Sequence, residues 1–157
     1  MTLEEKAVAL LKEKGYTVST AESCTGGLLA GRIINVSGAS DCINVGFITY
    51  ANEAKTKYLG VSEETLRKHG AVSFECAKQM ALGVTKQMDA DVGLATTGIA
   101  GPGGGTDDKP VGLVYIGCSV CGDVTVSEHR FNGTREEIRN EAVEQALALL
   151  VERLESN

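Results

Sequence analysis

The chain alternates helix-like and strand-like segments over its first hundred residues, and this alternation constrains the fold more than any other feature. Amphipathic stretches with helical spacing are separated by short apolar runs typical of strands. A strand, a helix and a second strand in succession are typical of parallel strands joined by crossover helices. The sequence predicts helices over residues 2–14, 26–36, 51–59, 62–70 and 73–88, and strands over 16–20, 43–49 and 92–97.

The last third of the chain departs from this alternation. Two predicted strands, over residues 111–120 and 124–131, follow each other directly, and Cys121-Gly122-Asp123 between them indicates a hairpin. Thr134 and Glu137 then form a capping-box pattern, which opens a terminal helix. The sequence therefore predicts one domain over residues 1–157, a three-layer α/β/α sandwich with a mixed, mostly parallel sheet.

The charge balance argues against one large class of function. The chain has 15 Lys and Arg against 21 Asp and Glu, a net charge of −6, which argues against nucleic-acid binding through a basic surface. No apolar run approaches the ~18 residues of a membrane span, and the charged N-terminus is unlike a signal peptide, so we expect a cytoplasmic protein. The five cysteines and two histidines lack metal-ligand spacing, which predicts reduced thiols and no metal site.

The first segment that could carry chemistry is the polar turn over residues 21–27, between a predicted strand and a helix. Ser23 is a candidate nucleophile, and backbone N–H groups near Thr25, Gly26 and Gly27 could hold an oxyanion. Cys24 is a rival nucleophile, because a helix N-terminus lowers the pKa of a thiol. The alternative is that Ser23 or Thr25 only caps the helix.

The second segment is another strand-to-helix junction, which carries Tyr50 and Lys55. A serine nucleophile needs a base, and a lysine can serve if burial or a neighbouring cation lowers its pKa from ~10.4. The alternatives are that Lys55 is a solvated surface lysine and that Tyr50 is a packing residue at the end of a strand.

The third segment is a loop after the buried strand that ends at Thr97, and it concentrates glycine. Glycine makes up 19 of 157 residues, about 12% against a typical ~7%, and five glycines lie between residues 98 and 105. Such a loop can line a phosphate or an oxyanion with backbone N–H groups, and Gly101, Gly103 and Gly104 are the candidates. No Lys-Ser/Thr pair follows, so it is not a Walker loop. The alternative is a flexible connection.

A weaker fourth feature follows the last strand, where Arg135 and Arg139 lie one helical turn apart. They could present a guanidinium to an anionic substrate, or they could be exposed arginines at a strand-to-helix turn. Because carboxyl ends of strands in such sheets carry ligand sites, we expect the 26–27 turn and the glycine loop at one sheet edge, close to Lys55.

Taken together, four segments resemble motifs of the CinA C-terminal domain family and follow each other in the family's order, at residues 21–27, 50–55, 96–106 and 131–139. The resemblance extends over about residues 3–152. The family's single-domain members are PncC-type nicotinamide mononucleotide amidases. The resemblance implies a three-layer α/β/α fold and hydrolysis of the nucleotide's carboxamide to nicotinate mononucleotide and ammonia, in pyridine nucleotide salvage. It implies Ser23 as nucleophile and Lys55 as general base, with no metal or cofactor.

Two other functions stay open at this stage. One is a catalytically silent ligand-binding domain of the same fold, because a fold does not imply its chemistry. The other is a Ser/Lys amidase with a different substrate. The expected partner is a small nucleotide substrate, and the sequence leaves a homodimer open.

Overall fold

The computed structural model describes residues 1–156. Within that range the helices are α1 (Leu3–Lys14), α2 (Leu28–Ile34), α3 (Asn52–Leu59), α4 (Glu63–His69), α5 (Phe74–Met88) and α6 (Arg135–Glu155). The strands are β1 (Val18–Glu22), β2 (Ile43–Ile48), β3 (Val92–Gly98), β4 (Leu113–Val120) and β5 (Asp123–Arg130). None of these helices is both long enough and apolar enough to cross a membrane.

One mixed sheet organises the domain, with strand order β2-β1-β3-β4-β5. The strand β1 pairs in parallel with β2 and with β3, and β4 runs antiparallel to both β3 and β5. The predicted hairpin is confirmed as a two-residue turn, in which Cys121 and Gly122 both have positive φ, as type I′ turns require.

Helices cover both faces of the sheet, which confirms the predicted three-layer sandwich. The helices α1, α2 and α6 pack together on one face, and α5 lies on the other face with α3 and α4 against it. A separate apolar cluster fills each interface. The capping box predicted at the start of α6 is present, a second one formed by Thr2 and Glu5 opens α1, and the left-handed Gly15 ends α1.

Five predicted boundaries are wrong by two residues. The strand β1 begins later, at Val18, and the helix α2 ends earlier, at Ile34; the other three errors have a local cause. The strand β1 runs two residues further, to Glu22, because Glu22 is held between Ile48 of β2 and Thr96 of β3. The helix α2 begins two residues later than predicted, because Gly26 and Gly27 take left-handed conformations before it. The strand β4 begins at Leu113, because the preceding residues still belong to the glycine-rich loop.

Candidate active site

The carboxyl ends of β1, β2 and β3 meet at one edge of the sheet, because the three strands are parallel. A pocket of about 270 Å³ opens there. Five chain segments form its wall, and the lining residues are Ser23, Cys24, Tyr50, Asn52, Lys55, Ala71, Val72, Thr97, Gly98, Ile99, Ala100, Gly101, Gly103, Gly104 and Arg135. The structure therefore brings most of the predicted site residues to a single pocket.

Ser23 and Lys55 face each other at the bottom of this pocket. Ser23 directly follows β1, and Lys55 lies on α3, which begins just after β2 and ends at the left-handed Gly60. The Nζ atom of Lys55 is 3.0 Å from Ser23 Oγ. The side chain of Lys55 is only 1% exposed, so the alternative of a solvated surface lysine is wrong.

The surroundings of Lys55 favour a neutral amine. Burial lowers the pKa of Lys55, and no carboxylate among residues 1–156 forms an ion pair with it. Its Nζ donates to two backbone carbonyls, Thr49 O at 2.7 Å and Tyr50 O at 3.2 Å. In the ammonium form Nζ donates to these two carbonyls and to Ser23 Oγ. A neutral amine has two N–H donors and one lone pair, so once Lys55 loses its proton the two donors can stay on the carbonyls and the lone pair faces the Ser23 hydroxyl.

Cys24 lines the same pocket, but its thiol does not have the properties of a nucleophile. The residue is 7% exposed, and burial raises the pKa of the thiol to about 11. The expectation that a helix N-terminus lowers this pKa is wrong, because desolvation outweighs the nearby positive charge. The reactive thiolate is therefore scarce at neutral pH.

The turn after Ser23 is organised by Glu22, a residue to which the sequence analysis gave no role. Its carboxylate is 1% exposed and accepts a 2.6 Å hydrogen bond from the Thr25 hydroxyl. The same carboxylate accepts from backbone N–H groups at the start of α2, those of Gly27, Leu29 and Ala30, at 3.1, 2.9 and 3.0 Å. An acidic residue just before a helix is a typical partner of its N-terminal N–H groups.

These contacts correct the predicted roles of Thr25, Gly26 and Gly27, none of which lines the pocket. The Thr25 hydroxyl is occupied by Glu22 and Thr96, the Gly27 N–H donates to Glu22, and the Gly26 N–H donates to Ser23 O. The helix N-terminus therefore cannot hold an oxyanion. In the described part of this turn, the backbone N–H groups of Cys24 and Thr25 donate to no other residue.

The glycine-rich loop forms the opposite wall, and Gly101, Gly103 and Gly104 line the pocket as expected from their position in the sequence. A side chain at Gly101 has no room, because its Cβ would lie 2.4 Å from Val111 Cγ1 and its φ is +79°. Thr97 also lines the wall, although its hydroxyl donates to Ala71 O at 2.9 Å. Ala71 and Val72 also line the pocket, and no motif in the sequence indicates that they would.

The two arginines in the first turns of α6, Arg135 and Arg139, make different contacts. Arg135 is exposed at the pocket mouth, where its guanidinium donates to Gly101 O at 2.7 Å and to the hydroxyl of Tyr50 at 3.2 Å. Arg139 turns away to the backbone of residues 24 and 25. Asn52, which also lines the pocket, is a further residue that the sequence analysis did not select, although it lies between Tyr50 and Lys55.

No group of three or more His, Cys, Asp or Glu side chains within residues 1–156 is arranged to hold a metal ion. The chemically active groups at the pocket are the hydroxyl of Ser23, the buried amine of Lys55, the guanidinium of Arg135 and backbone N–H groups. Together they suit nucleophilic attack on a carbonyl by an activated serine.

Known proteins that are similar to this chain in sequence and fold are CinA-like and competence/damage inducible proteins. A CinA-like protein from Kosmotoga olearia is 55% identical over 146 residues, which cover 93% of this chain and 35% of the relative. The chain spans about a third of the length of the curated relatives it matches. The competence/damage inducible protein CihA from Agrobacterium tumefaciens is 45% identical with a TM-score of 0.92, over 96% of this chain and 94% of that one.

A second solved structure, the CinA superfamily protein KP700603 from Klebsiella pneumoniae, is 34% identical with a TM-score of 0.94 and covers 100% of both chains. The model of the CinA C-terminal domain matches residues 1–154. The match takes in every strand of the sheet and all but the last residue of α6. The chain belongs to the CinA C-terminal domain family.

Proposed function

We propose that this chain is a nicotinamide-nucleotide amidase that hydrolyses the carboxamide of nicotinamide mononucleotide to nicotinate mononucleotide and ammonia. The observation that carries the proposal is the buried amine of Lys55 at 3.0 Å from Ser23 Oγ, with no ion-pairing carboxylate among residues 1–156. A neutral lysine in this position is a general base for a serine nucleophile.

The first half of the reaction acylates Ser23. Lys55 takes the hydroxyl proton as Ser23 Oγ attacks the amide carbon, and the carbonyl oxygen becomes an oxyanion. The backbone N–H of Cys24 donates to no other described residue and belongs to a residue that lines the pocket, and the residue after a nucleophile often supplies such a donor. The C–N bond then breaks, and ammonia leaves with the proton from Lys55.

The second half restores the enzyme. Lys55, neutral again, takes a proton from water, and the resulting hydroxide attacks the acyl carbon. Ser23 Oγ leaves and recovers its proton from Lys55, and nicotinate mononucleotide is released. In each half Lys55 first accepts a proton and then returns it, so one amine suffices for the proton transfers of both halves.

The pocket mouth suits the phosphate of a mononucleotide. Arg135 supplies a positive charge there, and the glycine loop supplies backbone close to it. Arginine binds phosphate through paired N–H donors, and its present partners, a carbonyl and a phenol, are neutral groups that a phosphate can replace. A pyridine carboxamide that reaches Ser23 would leave its ribose phosphate toward this mouth.

The test is ammonia release from nicotinamide mononucleotide by the purified protein, with product identified by mass spectrometry. Ser23→Ala should remove turnover, and the matched control Cys24→Ala should retain most of it. If the wild-type protein releases no ammonia even at high concentration, the amidase proposal is refuted. If calorimetry then still shows binding of nicotinamide mononucleotide, the alternative of a catalytically silent ligand-binding domain is supported. Activity retained in Ser23→Ala would contradict the assigned nucleophile.

A further inference from the structure

Arg139 contacts the nucleophile turn in a way that the chemistry above does not use. From α6, its Nε donates to Cys24 O at 2.9 Å and its Nη2 donates to Thr25 O at 3.2 Å. One guanidinium thus holds two successive carbonyls directly after Ser23. No carboxylate among the described residues forms an ion pair with it.

The other backbone hydrogen bonds of this turn show which N–H groups have no partner among the described residues. The Ser23 N–H donates to Thr96 O, the Gly26 N–H donates to Ser23 O, and Glu22 takes the Gly27 N–H. The carbonyl of Cys24 accepts from Arg139, and the carbonyl of Thr25 accepts from both Arg139 and the Leu28 N–H. The donors left over are the N–H groups of Cys24 and Thr25. They directly follow the nucleophile.

Arg139 controls the direction of one of these donors through the planarity of the peptide bond. In a trans peptide the C=O and the following N–H point in opposite directions. Because Arg139 holds Cys24 O, the Thr25 N–H points away from the guanidinium and cannot rotate without breaking that hydrogen bond. The second contact, to Thr25 O, adds to the hydrogen bonds that the Leu28 N–H and the Gly26 N–H already make at the next peptide unit.

Gly26 gives independent support, because its lack of a side chain makes room for this guanidinium. A Cβ at position 26 would lie 3.2 Å from Arg139 Nη2, and the φ of +57° also disfavours a side chain. This glycine, expected from the sequence to help hold an oxyanion, instead leaves room for the Arg139 guanidinium. The turn is therefore built around Arg139.

We infer that Arg139 is a positioning residue for acyl transfer, which holds the backbone carbonyls of Cys24 and Thr25 and thereby keeps the turn that carries Ser23 Oγ and the Cys24 N–H in the orientation that acyl transfer needs. This inference rests on the proposed Ser23 chemistry but not on the identity of the amide. Removal of one oxyanion donor commonly costs ~10²–10³ in kcat, and a misplaced donor should cost at least ~10-fold.

The closing experiment uses Arg139→Lys, which keeps the positive charge but not the planar fork that reaches two carbonyls. Arg153→Lys is the matched control, because Arg153 lies on the same helix and also donates to two carbonyls, Cys118 O and Asp123 O, away from the pocket. We expect Arg139→Lys to lower kcat for nicotinamide mononucleotide by at least ~10-fold while KM stays near the wild-type value. Arg153→Lys should retain kcat in its folded fraction.

Two further readouts separate positioning from general destabilisation. Guanidinium ion at millimolar concentration should restore part of the activity of Arg139→Ala, whereas an unfolded protein would gain nothing from it. The rate at which an alkyl fluorophosphonate labels Ser23, followed by peptide mass spectrometry, should fall in Arg139→Lys. In this reaction Ser23 Oγ bonds to phosphorus, fluoride leaves and Lys55 takes the proton, so no amide substrate is needed.

The outcomes distinguish the two proposals. If Arg139→Lys keeps both kcat and the labelling rate, or raises KM alone, the positioning role is refuted. If the wild-type protein releases no ammonia but labels at Ser23 in an Arg139-dependent manner, the amide substrate is refuted and the positioning role stands. If the wild-type protein neither releases ammonia nor labels at Ser23, both are refuted.

Discussion

Replacing Lys55 with methionine should change how the stability of the domain depends on pH. Methionine has a similar length and no amine, and Lys55 is 1% exposed, so the substitution keeps most of the packing. It has two opposing effects on the free energy of unfolding. One is the loss of hydrogen bonds, which does not depend on pH, and the other is the removal of a buried ionisable group, which does.

The first effect follows from the contacts of Nζ. Its donation to Thr49 O at 2.7 Å is buried, and its donation to Tyr50 O is partly buried. An unsatisfied buried acceptor costs ~1–3 kcal/mol. Above the pKa of an unfolded lysine, ~10.4, where the amine is neutral in both states, Lys55→Met should therefore be less stable than the wild-type protein by about that amount.

The second effect has a definite sign. Burial lowers the pKa of Lys55 in the folded state, so between that pKa and ~10.4 the unfolded chain binds more protons than the folded one. Wild-type stability then rises with pH through this window, by at most ~1.4 kcal/mol per pH unit. As pH falls through the same window, the free energy of unfolding of Lys55→Met should increase relative to that of the wild-type protein. The difference should level off below the folded pKa of Lys55.

Urea unfolding of both proteins between pH 6 and pH 10 measures this difference directly. Lys57→Met is the matched control, because Lys57 is exposed on the same helix, and its difference from the wild-type protein should stay flat. Burial raises the pKa of the thiols of Cys24, Cys76 and Cys118, which lowers stability as pH rises through ~8.5. Desolvation, the largest cause of these shifts, is common to all three proteins, so most of this contribution cancels; the charge of Lys55 only partly offsets the shift at Cys76. Parallel stability curves for Lys55→Met and the wild-type protein would refute the buried neutral amine.

Two more substitutions test the groups around Ser23. Glu22→Gln should lower the free energy of unfolding by about 2 kcal/mol in urea unfolding, because the amide keeps one acceptor for three N–H groups of α2; an unchanged midpoint would contradict the cap. Arg135→Gln should raise KM for nicotinamide mononucleotide by ~10–100-fold with a smaller effect on kcat, because a charged hydrogen bond to phosphate contributes ~1.5–3 kcal/mol. An unchanged KM would place the phosphate elsewhere.

Sequence patterns sufficed for the elements that bring Ser23 and Lys55 together. Each residue follows a short apolar strand, and crossover helices make such strands parallel, so their carboxyl ends share an edge. Caps at Thr2 and Thr134 were recognisable because both hydrogen-bonding residues lie within four positions of each other. Local chemistry of this kind does not depend on the rest of the fold.

The role of Glu22 could not be predicted in the same way. The sequence offers Ser23 and Thr25 as conventional caps for α2, and both are typical N-cap residues. The actual cap comes from inside a buried strand, because the turn of residues 23–27 folds back and places the start of α2 over the end of β1. That reversal depends on two left-handed glycines and on Arg139, which is 115 residues away from Cys24.

The same arrangement explains how a buried acid and a buried amine coexist near Ser23 without pairing. An ion pair between Glu22 and Lys55 would favour the ammonium form, and the base would be lost. Instead the Glu22 carboxylate is occupied by backbone N–H groups and the Thr25 hydroxyl, and the Lys55 amine by backbone carbonyls. Arg139 likewise binds only carbonyls. Each of these groups is thus satisfied by neutral dipoles, so the low pKa of Lys55 set by burial is not reversed by a neighbouring charge.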